Sequence, residues 1–374
     1  MRVLLAVLLV GIAGCGGGEK PPGGNEPAVQ TAETDIVAVL KKLGIDIEQN
    51  EQGEVVGVIH GNTRLTDHVL ADLSGLTKLE RLNLDGAKVT DGGLAHLKEL
   101  TALRSLGIGG YESQITDAGL VHLKGMVKLQ ELDLVHSKTT DAGLVHLKEL
   151  TNLQTLDLPK QITDAGLVHL KGLTRLQTLD LLSTQITDAG LVHLKGLTKL
   201  QSLGLPSQIT DAGLVHLKGM TKLQELFLGS NNITDAGLVH LKGLANLQKL
   251  NLYHNQKITD AGLVHLKGLT KLQTLRLERT QITDAGLVHL KRLTKLNLLG
   301  LRGTKVTDAG LVHLKGLTKL QELSLHKTEV TDAGLVQLKG LTGLQTLDLG
   351  CTEVTDAGFA DLKKALPNCK IYEL

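Results

Sequence analysis

Hydrophobic residues recur along this chain in units that combine two spacings. The first part of each unit has leucines three residues apart, as on one face of a short helix, and the second part has the pattern Leu-x-x-Leu-x-Leu, which is typical of a strand with one buried face. In the unit of residues 259–282 the two sets are Leu263, Leu266 and Leu269, and then Leu272, Leu275, Leu277 and Ile282. Each unit therefore predicts one short helix and one short strand.

The unit repeats along most of the chain. The dipeptide Thr-Asp occurs thirteen times between Thr66 and Asp356, with copies 23 to 26 residues apart. In the unit that starts at Thr259, this threonine is a good N-cap, Asp260 places a negative charge in the first helical turn, and Gly268 suits the left-handed residue that ends a short helix. A fixed period of this length predicts stacked coils, in which each strand pairs with the strand of the next coil.

One coil cannot bury enough apolar surface to fold alone, so the array needs neighbouring coils and covered ends. Residues 33–65 are predicted to form an N-terminal cap, with an amphipathic stretch followed by an atypical strand signal at residues 54–59. Residues 66–365 are predicted to form an array of about 12 repeats of ~24 residues. Residues 366–374 are predicted to close the far end.

The motif Leu-x-x-Leu-x-Leu-x-x-Thr-x-Ile, followed by Thr-Asp-Ala-Gly-Leu, resembles the leucine-rich repeat family over residues ~54 to 374. The repeats are similar to the bacterial Gly-Ala-Leu-Ala type, which is ribonuclease-inhibitor-like, and to those of F-box leucine-rich repeat proteins. The resemblance implies an α/β horseshoe-shaped solenoid, with a parallel β-sheet on the concave face, short helices on the convex face, and binding of a protein or another ligand.

One position departs from that family's pattern. The asparagine expected after the strand is mostly a hydroxyl residue here: Ser137, Thr184, Thr280, Thr304, Thr328 and Thr352. This replacement predicts a ladder of hydroxyl groups where the family has a ladder of amides.

The N-terminus indicates export. After Met1 and Arg2, an apolar run from Val3 to Ile12 leads into Ile12-Ala13-Gly14-Cys15. This run is shorter than the ~20 residues that span a bilayer. The tetrapeptide resembles the lipobox of bacterial lipoproteins, which implies removal of residues 1–14, lipidation of Cys15 and a place in the bacterial cell envelope. In the lipoproteins that it resembles, Asp directly after the lipidated Cys favours retention in the inner membrane, so the resemblance implies the outer membrane for a chain with Gly16 there. The alternative is an ordinary signal peptide that ends in cysteine.

Residues 15–32, rich in glycine and proline, are predicted to be a flexible tether. The formal net charge of +1 and the scarcity of aromatic residues, with 3 Tyr, 2 Phe and no Trp, argue against nucleic-acid binding. The sequence contains no Cys-x-x-Cys, His-Glu-x-x-His, Gly-x-Ser-x-Gly or phosphate-loop motif. We therefore expect neither an enzyme nor a bound cofactor or metal, and we expect a monomer.

Since the copies are so alike, the positions that differ carry most of the information about function. The outward positions of the strands vary, and they include an aromatic pair beside three arginines, which is the composition of interface hot spots. The predicted contact residues for a protein or glycan are Phe227, Tyr253, Arg276, Arg279 and Arg302, with His326 next to them, and an acidic strip of Asp133, Asp157 and Asp180 toward the N-terminus. The alternative is drift after duplication of the repeats.

Ten histidines occupy one helical position: His96, His122, His146, His169, His193, His216, His240, His265, His289 and His313. Each helix has one of them, and helices ~8–10 Å apart hold two imidazoles too far from each other to share a metal ion. Copied surface residues are one interpretation, and joint protonation near pH 6 is another.

Two rival functions stay open. One is an F-box-like adaptor, although residues 1–53 hold nothing long enough to be an F-box. The other is a structural or metal-buffering surface protein that uses the histidine column.

Overall fold

The computed structural model describes residues 36–59 and 64–373. The predicted signal peptide, tether and lipidation site at Cys15 lie outside the described residues. Within the described residues, fifteen strands form one open sheet in chain order, in which β1 and β2 are antiparallel and every later pair is parallel. The strands are β1 Ile47–Gln49, β2 Val55–Val58, β3 Arg81–Asn83, β4 Ser105–Gly107, β5 Glu131–Asp133, β6 Thr155–Asp157, β7 Thr178–Asp180, β8 Ser202–Gly204, β9 Glu225–Phe227, β10 Lys249–Asn251, β11 Thr274–Arg276, β12 Leu298–Gly300, β13 Glu322–Ser324, β14 Thr346–Asp348 and β15 Lys370–Tyr372.

Short helices alternate with these strands and lie on the other side of the core. The α-helices are α1 at residues 36–42, α2 Asp67–Leu73, α3 Asp91–Leu94, α4 Asp117–Leu120, α5 Asp164–Leu167, α6 Asp211–Leu214, α7 Asp235–Leu238, α8 Asp260–Leu263, α9 Asp284–Leu287, α10 Asp308–Leu311, α11 Asp332–Leu335 and α12 Asp356–Ala365. Segments of 3₁₀ helix occur at Ala95–Glu99, Val121–Leu123, Gly143–Leu147, Val168–Leu170, Gly190–Leu194, Val215–Leu217, Val239–Leu241, Val288–Leu290 and Val312–Leu314. Within the described part of the chain, no helix is both long and apolar enough to cross a membrane.

The predicted helix start is confirmed. The Thr259 side chain accepts a hydrogen bond from the N–H of Ala261, as an N-cap does. Gly268 suits a left-handed helix end but does not adopt a positive φ, and of the equivalent glycines only Gly125 does, with φ 97°. Three coils have a residue other than glycine at this place, which already indicates that a left-handed helix end is not obligatory there. The helical segment is so short that it runs into the next turn without a left-handed residue.

The core is a continuous stack of leucines between the sheet and the helices. Leu263 and Leu266 on the helical side, and Leu272 and Leu275 on the strand side, are all fully buried. The inward positions predicted from the repeat are therefore confirmed. Since every coil has only a few such residues, the apolar surface of each coil is covered by the coils before and after it.

A polar ladder joins the helical sides of successive coils. The carboxylate of Asp260 accepts hydrogen bonds from the N–H (2.8 Å) and the hydroxyl (2.6 Å) of Thr283 in the next coil. A Cβ atom added to Gly262 would overlap Oδ1 of Asp235, which makes the same bonds to Thr259, and would lie 2.9 Å from Leu238 Cδ1. The aspartate therefore does more than stabilise its own helix, and the glycine is repeated because it leaves room for the preceding aspartate.

The predicted hydroxyl ladder is wrong. The Thr280 hydroxyl donates to the carbonyl of Leu277 (2.7 Å) in its own coil, and Thr184, Thr304, Thr328 and Thr352 make the equivalent local bond. Asn255, by contrast, donates to Leu228 O (2.7 Å) in the preceding coil and accepts from the N–H of Ile233 (3.0 Å). A threonine side chain is too short to bridge the coils, whereas the longer amide does so.

Candidate functional site

The parallel register brings the predicted contact residues onto adjacent strands. Phe227 of β9 is opposite Asn251 of β10, and Asn251 is opposite Arg276 of β11. With strands ~4.8 Å apart, the backbones of Phe227 and Arg276 are therefore about 10 Å from each other. Phe227 is partly buried and Arg276 is exposed. Both belong to one column on the concave face of the sheet.

A second column follows immediately after the strands. The His254 N–H donates to Glu278 O, and the Arg279 N–H donates to Arg302 O, both at 2.8 Å, so the ladder continues past the three-residue strands. This pairing places Tyr253, Glu278 and Arg302 next to one another in the column. The Arg279 guanidinium lies over the Tyr253 ring, 5.9 Å from its centroid, which is a cation–π contact.

The position of Glu278, directly after the last leucine of its strand motif, predicts a side chain that faces solvent or a ligand, and this prediction is wrong. The Glu278 side chain is 7% exposed, and its Oε1 accepts a hydrogen bond from Arg276 Nε (2.9 Å). A Cβ atom on Gly300 of the next strand would overlap this carboxylate, so the glycine creates the space that Glu278 occupies. In the sequence, a glycine on one strand and an acidic residue one coil earlier are therefore the signal that could have revealed the Arg276–Glu278 pair.

The buried carboxylate holds Arg276 in place. Glu278 accepts from Nε, and no hydrogen bond among the described residues engages the two terminal nitrogens of the guanidinium, which are therefore available to a partner. The pair lines a depression of about 250 Å³ together with Gly300, Glu322 and Ser324. Among the described residues, Arg279 and Arg302 make no salt bridge, so the positive charges here outnumber the negative ones.

The residues that follow these strands are backbone-strained in several coils. The second residue after the last leucine of the strand motif has a positive φ although it is not glycine at His136, Ser230, His254, Arg279, Lys327 and Cys351, with φ between 55° and 65°. This left-handed conformation is costly for a residue with a Cβ atom. Gly86, Gly110 and Gly303 hold the same place in their coils and also have a positive φ, so the left-handed residue is a feature of the repeat and is not confined to the candidate contact surface.

His326 lies at the C-terminal side of the cluster. Its Nδ1 is 3.4 Å from Asp348 Oδ1, and the Ser324 hydroxyl donates to Asp348 Oδ2 at 3.1 Å. The histidine side chain is 16% exposed. The structure thus pairs His326 with a carboxylate of its own chain.

The acidic strip is also assembled by the register, since Asp133, Asp157 and Asp180 are opposite one another on β5, β6 and β7. Asp133 accepts a hydrogen bond from the N–H two residues later, at Val135 (2.7 Å), and Asp180 does the same from Leu182 (2.8 Å). Asp157 is followed two residues later by Pro159, which has no N–H to donate. Asp133 and Asp157 line a depression of about 270 Å³.

Asp157, which has no such hydrogen bond from the residue two positions later, has a raised pKa. Burial, and then the neighbouring carboxylates of Asp133, Asp180 and Glu131, raise the pKa of Asp157 from 3.8 to about 6. The pKa of Asp133 is also raised, mainly by burial, although its bond to Val135 opposes the change. The ionised strip is therefore electrostatically unfavourable in the isolated protein.

We expect Asp157→Asn to stabilise the protein at pH 7.5. Because the folded-state pKa is raised, stability is highest below pH ~4 and falls as pH rises to about 6. In Asp157→Asn the side chain cannot ionise, so the variant does not lose stability over this pH range. After allowing for solvent screening at this partly exposed side chain, it should be more stable by about 1 kcal/mol at pH 7.5 and show no advantage at pH 4. Urea unfolding at both pH values tests this, with exposed Glu353→Gln as control. An equal difference at both pH values would contradict the assignment.

The histidine column lies on the helical side, where most of its members are half-buried. Burial first, and then Lys195, Lys242 and Lys291 respectively, lower the pKa of His216, His265 and His313. These three histidines therefore become charged at a lower pH than an unperturbed imidazole, and joint protonation of the column stays a hypothesis. Over the described residues, no group of three or more His, Cys, Asp or Glu side chains could hold a metal ion.

Comparison with known proteins supports the same architecture. The family model described as leucine rich repeat matches residues 207–256 and 221–282. An internalin (inlF) of Listeria monocytogenes is 26% identical, over 91% of this chain and 94% of that chain, with a TM-score of 0.67. A leucine-rich repeat protein of Leptospira interrogans is 22% identical, over 82% and 87% of the two chains, with a TM-score of 0.56. No curated protein matches the chain in sequence. The fold is that of an α/β leucine-rich repeat solenoid.

Proposed function

We propose that this leucine-rich repeat solenoid is a non-catalytic module that binds a protein through its concave face. The contact surface is the concave cluster, defined as Phe227, Tyr253, Arg276, Arg279 and Arg302. The observation that carries the proposal is the Arg276–Glu278 pair, because a buried carboxylate fixes the guanidinium of an exposed arginine on the face that also carries Phe227 and Tyr253. A guanidinium held in this way loses less side-chain entropy when it binds.

The chemistry of the cluster indicates the kind of partner. Partly buried aromatic rings provide apolar contact area, and guanidinium groups bind carboxylates with two parallel hydrogen bonds. A protein segment with acidic and planar side chains satisfies both. The acidic strip of Asp133, Asp157 and Asp180 lies several coils away on the same face, so a partner with separated positive and negative regions would bind in one orientation.

We expect Phe227→Ala and Arg276→Ala each to weaken partner binding by about 2 kcal/mol, or roughly 30-fold in Kd, because each removes a central anchor of the cluster. Residues 33–374 would be used to capture the partner from an envelope extract, and its affinity for each variant would then be measured by calorimetry. His193→Ala on the helical side is the control and should change binding by less than ~0.5 kcal/mol.

The opposite pattern would overturn this assignment. If His193→Ala weakens binding while both concave variants bind normally, the helical side is the contact surface. If the captured ligand is a glycan, the concave cluster would still be tested by the same variants, but the proposed class of partner would be wrong.

We also propose that the protein is anchored in the bacterial cell envelope by a lipid on Cys15, in the outer membrane in preference to the inner one. The support is the lipobox-like Ile12-Ala13-Gly14-Cys15 after a short apolar run. Metabolic labelling with a fatty-acid analogue should mark the wild type and not Cys15→Ser. Labelling that survives the substitution would contradict lipidation at this residue.

A further inference from the structure

A second conspicuous surface lies at the edge of the solenoid where the strands begin, away from the concave cluster. In each coil a five-residue turn connects the helical segment to the strand, and it most often reads Lys-Gly-Leu-Thr-Lys, as at residues 195–199 and 267–271. The parallel in-register sheet places all these turns along one edge. We call the cationic residues of the seven turns from Lys171 to Lys319 the lysine edge.

The lysine edge has an unusually uniform charge. Its seven turns contain 14 lysines and arginines and no aspartate or glutamate. All 14 side chains are exposed. Two of the strands that follow these turns begin with a carboxylate residue, Glu225 and Glu322, and Glu225 is already paired with Lys249 at 2.7 Å. The formal net charge of the whole chain is only +1, so the positive charge of this edge is balanced by negative charges elsewhere on the protein.

The repeat explains how this separation arises. The aspartate of each Thr-Asp lies at the other end of the helical segment, where it accepts two hydrogen bonds from the next coil, as Asp260 does from Thr283. It therefore cannot turn toward the lysines. The effect of the lysines reaches the neighbouring coil, since Lys195 contributes to lowering the pKa of His216, and Lys242 to lowering that of His265.

We infer that the lysine edge docks the solenoid on the surface of a bilayer that contains anionic lipids. Twelve of its 14 cations are lysines, which are hydrated point charges on flexible stems. Such groups are attracted to a plane of negative headgroups without any fitted pocket, and each one near the surface adds to the attraction. An edge that carries cations on every one of its coils matches an extended, planar partner.

The chemistry of the edge distinguishes this partner from nucleic acid or another polyanion. None of the seven turns contains an aromatic residue on which bases could stack. In most turns both cations are lysines, and no turn contains two arginines, so the turns present no pair of rigid guanidinium groups for bidentate phosphate recognition. The inference is independent of the concave cluster and of lipidation at Cys15.

The test uses the chain from residue 16 onward, which includes every described residue and lacks Cys15. Co-sedimentation is measured with vesicles of about one part phosphatidylglycerol to two parts phosphatidylcholine, and with phosphatidylcholine alone. We expect binding to the first only, and its loss in high salt because salt screens exposed charges. Reversing four lysines of the edge, Lys195, Lys218, Lys267 and Lys315, to glutamate should lower the partition coefficient at least tenfold, by an order-of-magnitude estimate.

The matched control reverses four exposed lysines on the opposite side of the strands: Lys88, Lys160, Lys257 and Lys305. It changes the net charge equally and should lower the partition coefficient less than about twofold at physiological salt. Equal urea midpoints for both variants would show that both are folded. The inference is overturned if the wild type binds neither vesicle or both alike, or if the control variant loses as much binding. Binding to soluble heparin without binding to anionic vesicles would also overturn it, in favour of a polyanion.

Discussion

Replacing Leu275 with alanine is expected to lower the free energy of unfolding by ~2–5 kcal/mol. Leu275 is fully buried in the interior strand β11, and Leu250 and Leu299 are its partners on the strands at either side. Alanine would leave a cavity that these neighbours cannot fill, because the hydrogen-bonded ladder holds their backbones in place. Urea unfolding followed by circular dichroism measures the loss.

Leu182→Ala is the matched control for this experiment. Leu182 is 45% exposed, so its truncation leaves no closed cavity and should cost less than ~1 kcal/mol. A loss below ~0.5 kcal/mol for Leu275→Ala would place this leucine outside the core and contradict the register of the repeat. A broader urea unfolding transition, without a lower midpoint, would show that the coils on the two sides of β11 unfold separately.

Gly262→Ala is expected to destabilise the protein by about 2–4 kcal/mol, although only one methyl group is added. The new Cβ would overlap Oδ1 of Asp235, whose carboxylate holds the N–H and hydroxyl of Thr259. Either both of these charge-assisted hydrogen bonds are lost, or α7 and α8 must move apart. Thermal or urea unfolding gives the change in stability.

The chain offers an internal control with the same substitution six residues later. Gly268 has no heavy atom within 4 Å of an added Cβ and does not have a positive φ. Gly268→Ala should therefore be neutral, or stabilise slightly by restricting the unfolded chain. Equal effects of the two substitutions would mean that glycine is retained at residue 262 for a reason other than the aspartate of the preceding coil.

Part of the candidate site could be predicted because a repeat transfers positions from one coil to the next. Phe227 and Arg276 occupy the same place in their units, so an in-register parallel sheet must bring them onto one column. The sequence predicted that Arg279 and Tyr253 lie in the same cluster, but it did not predict their contact. That contact depends on the left-handed backbone of a residue after the strand. The burial of Glu278 was missed, since it depends on the absence of a side chain at Gly300 in another coil.

The sequence by itself determined the period, the helix starts at threonine and the inward leucines, because these depend on spacing and on local hydrogen bonds within one unit. Only the tertiary structure decided what the repeated Asp and Gly do, since their partners are about one coil away and both depend on the distance between adjacent helices. The same holds for the acidity of Asp157, where stacking brings three carboxylates together and Pro159 removes the local hydrogen bond that its neighbours have. Local patterns specify the elements, whereas contacts between coils set burial and charge at the surface.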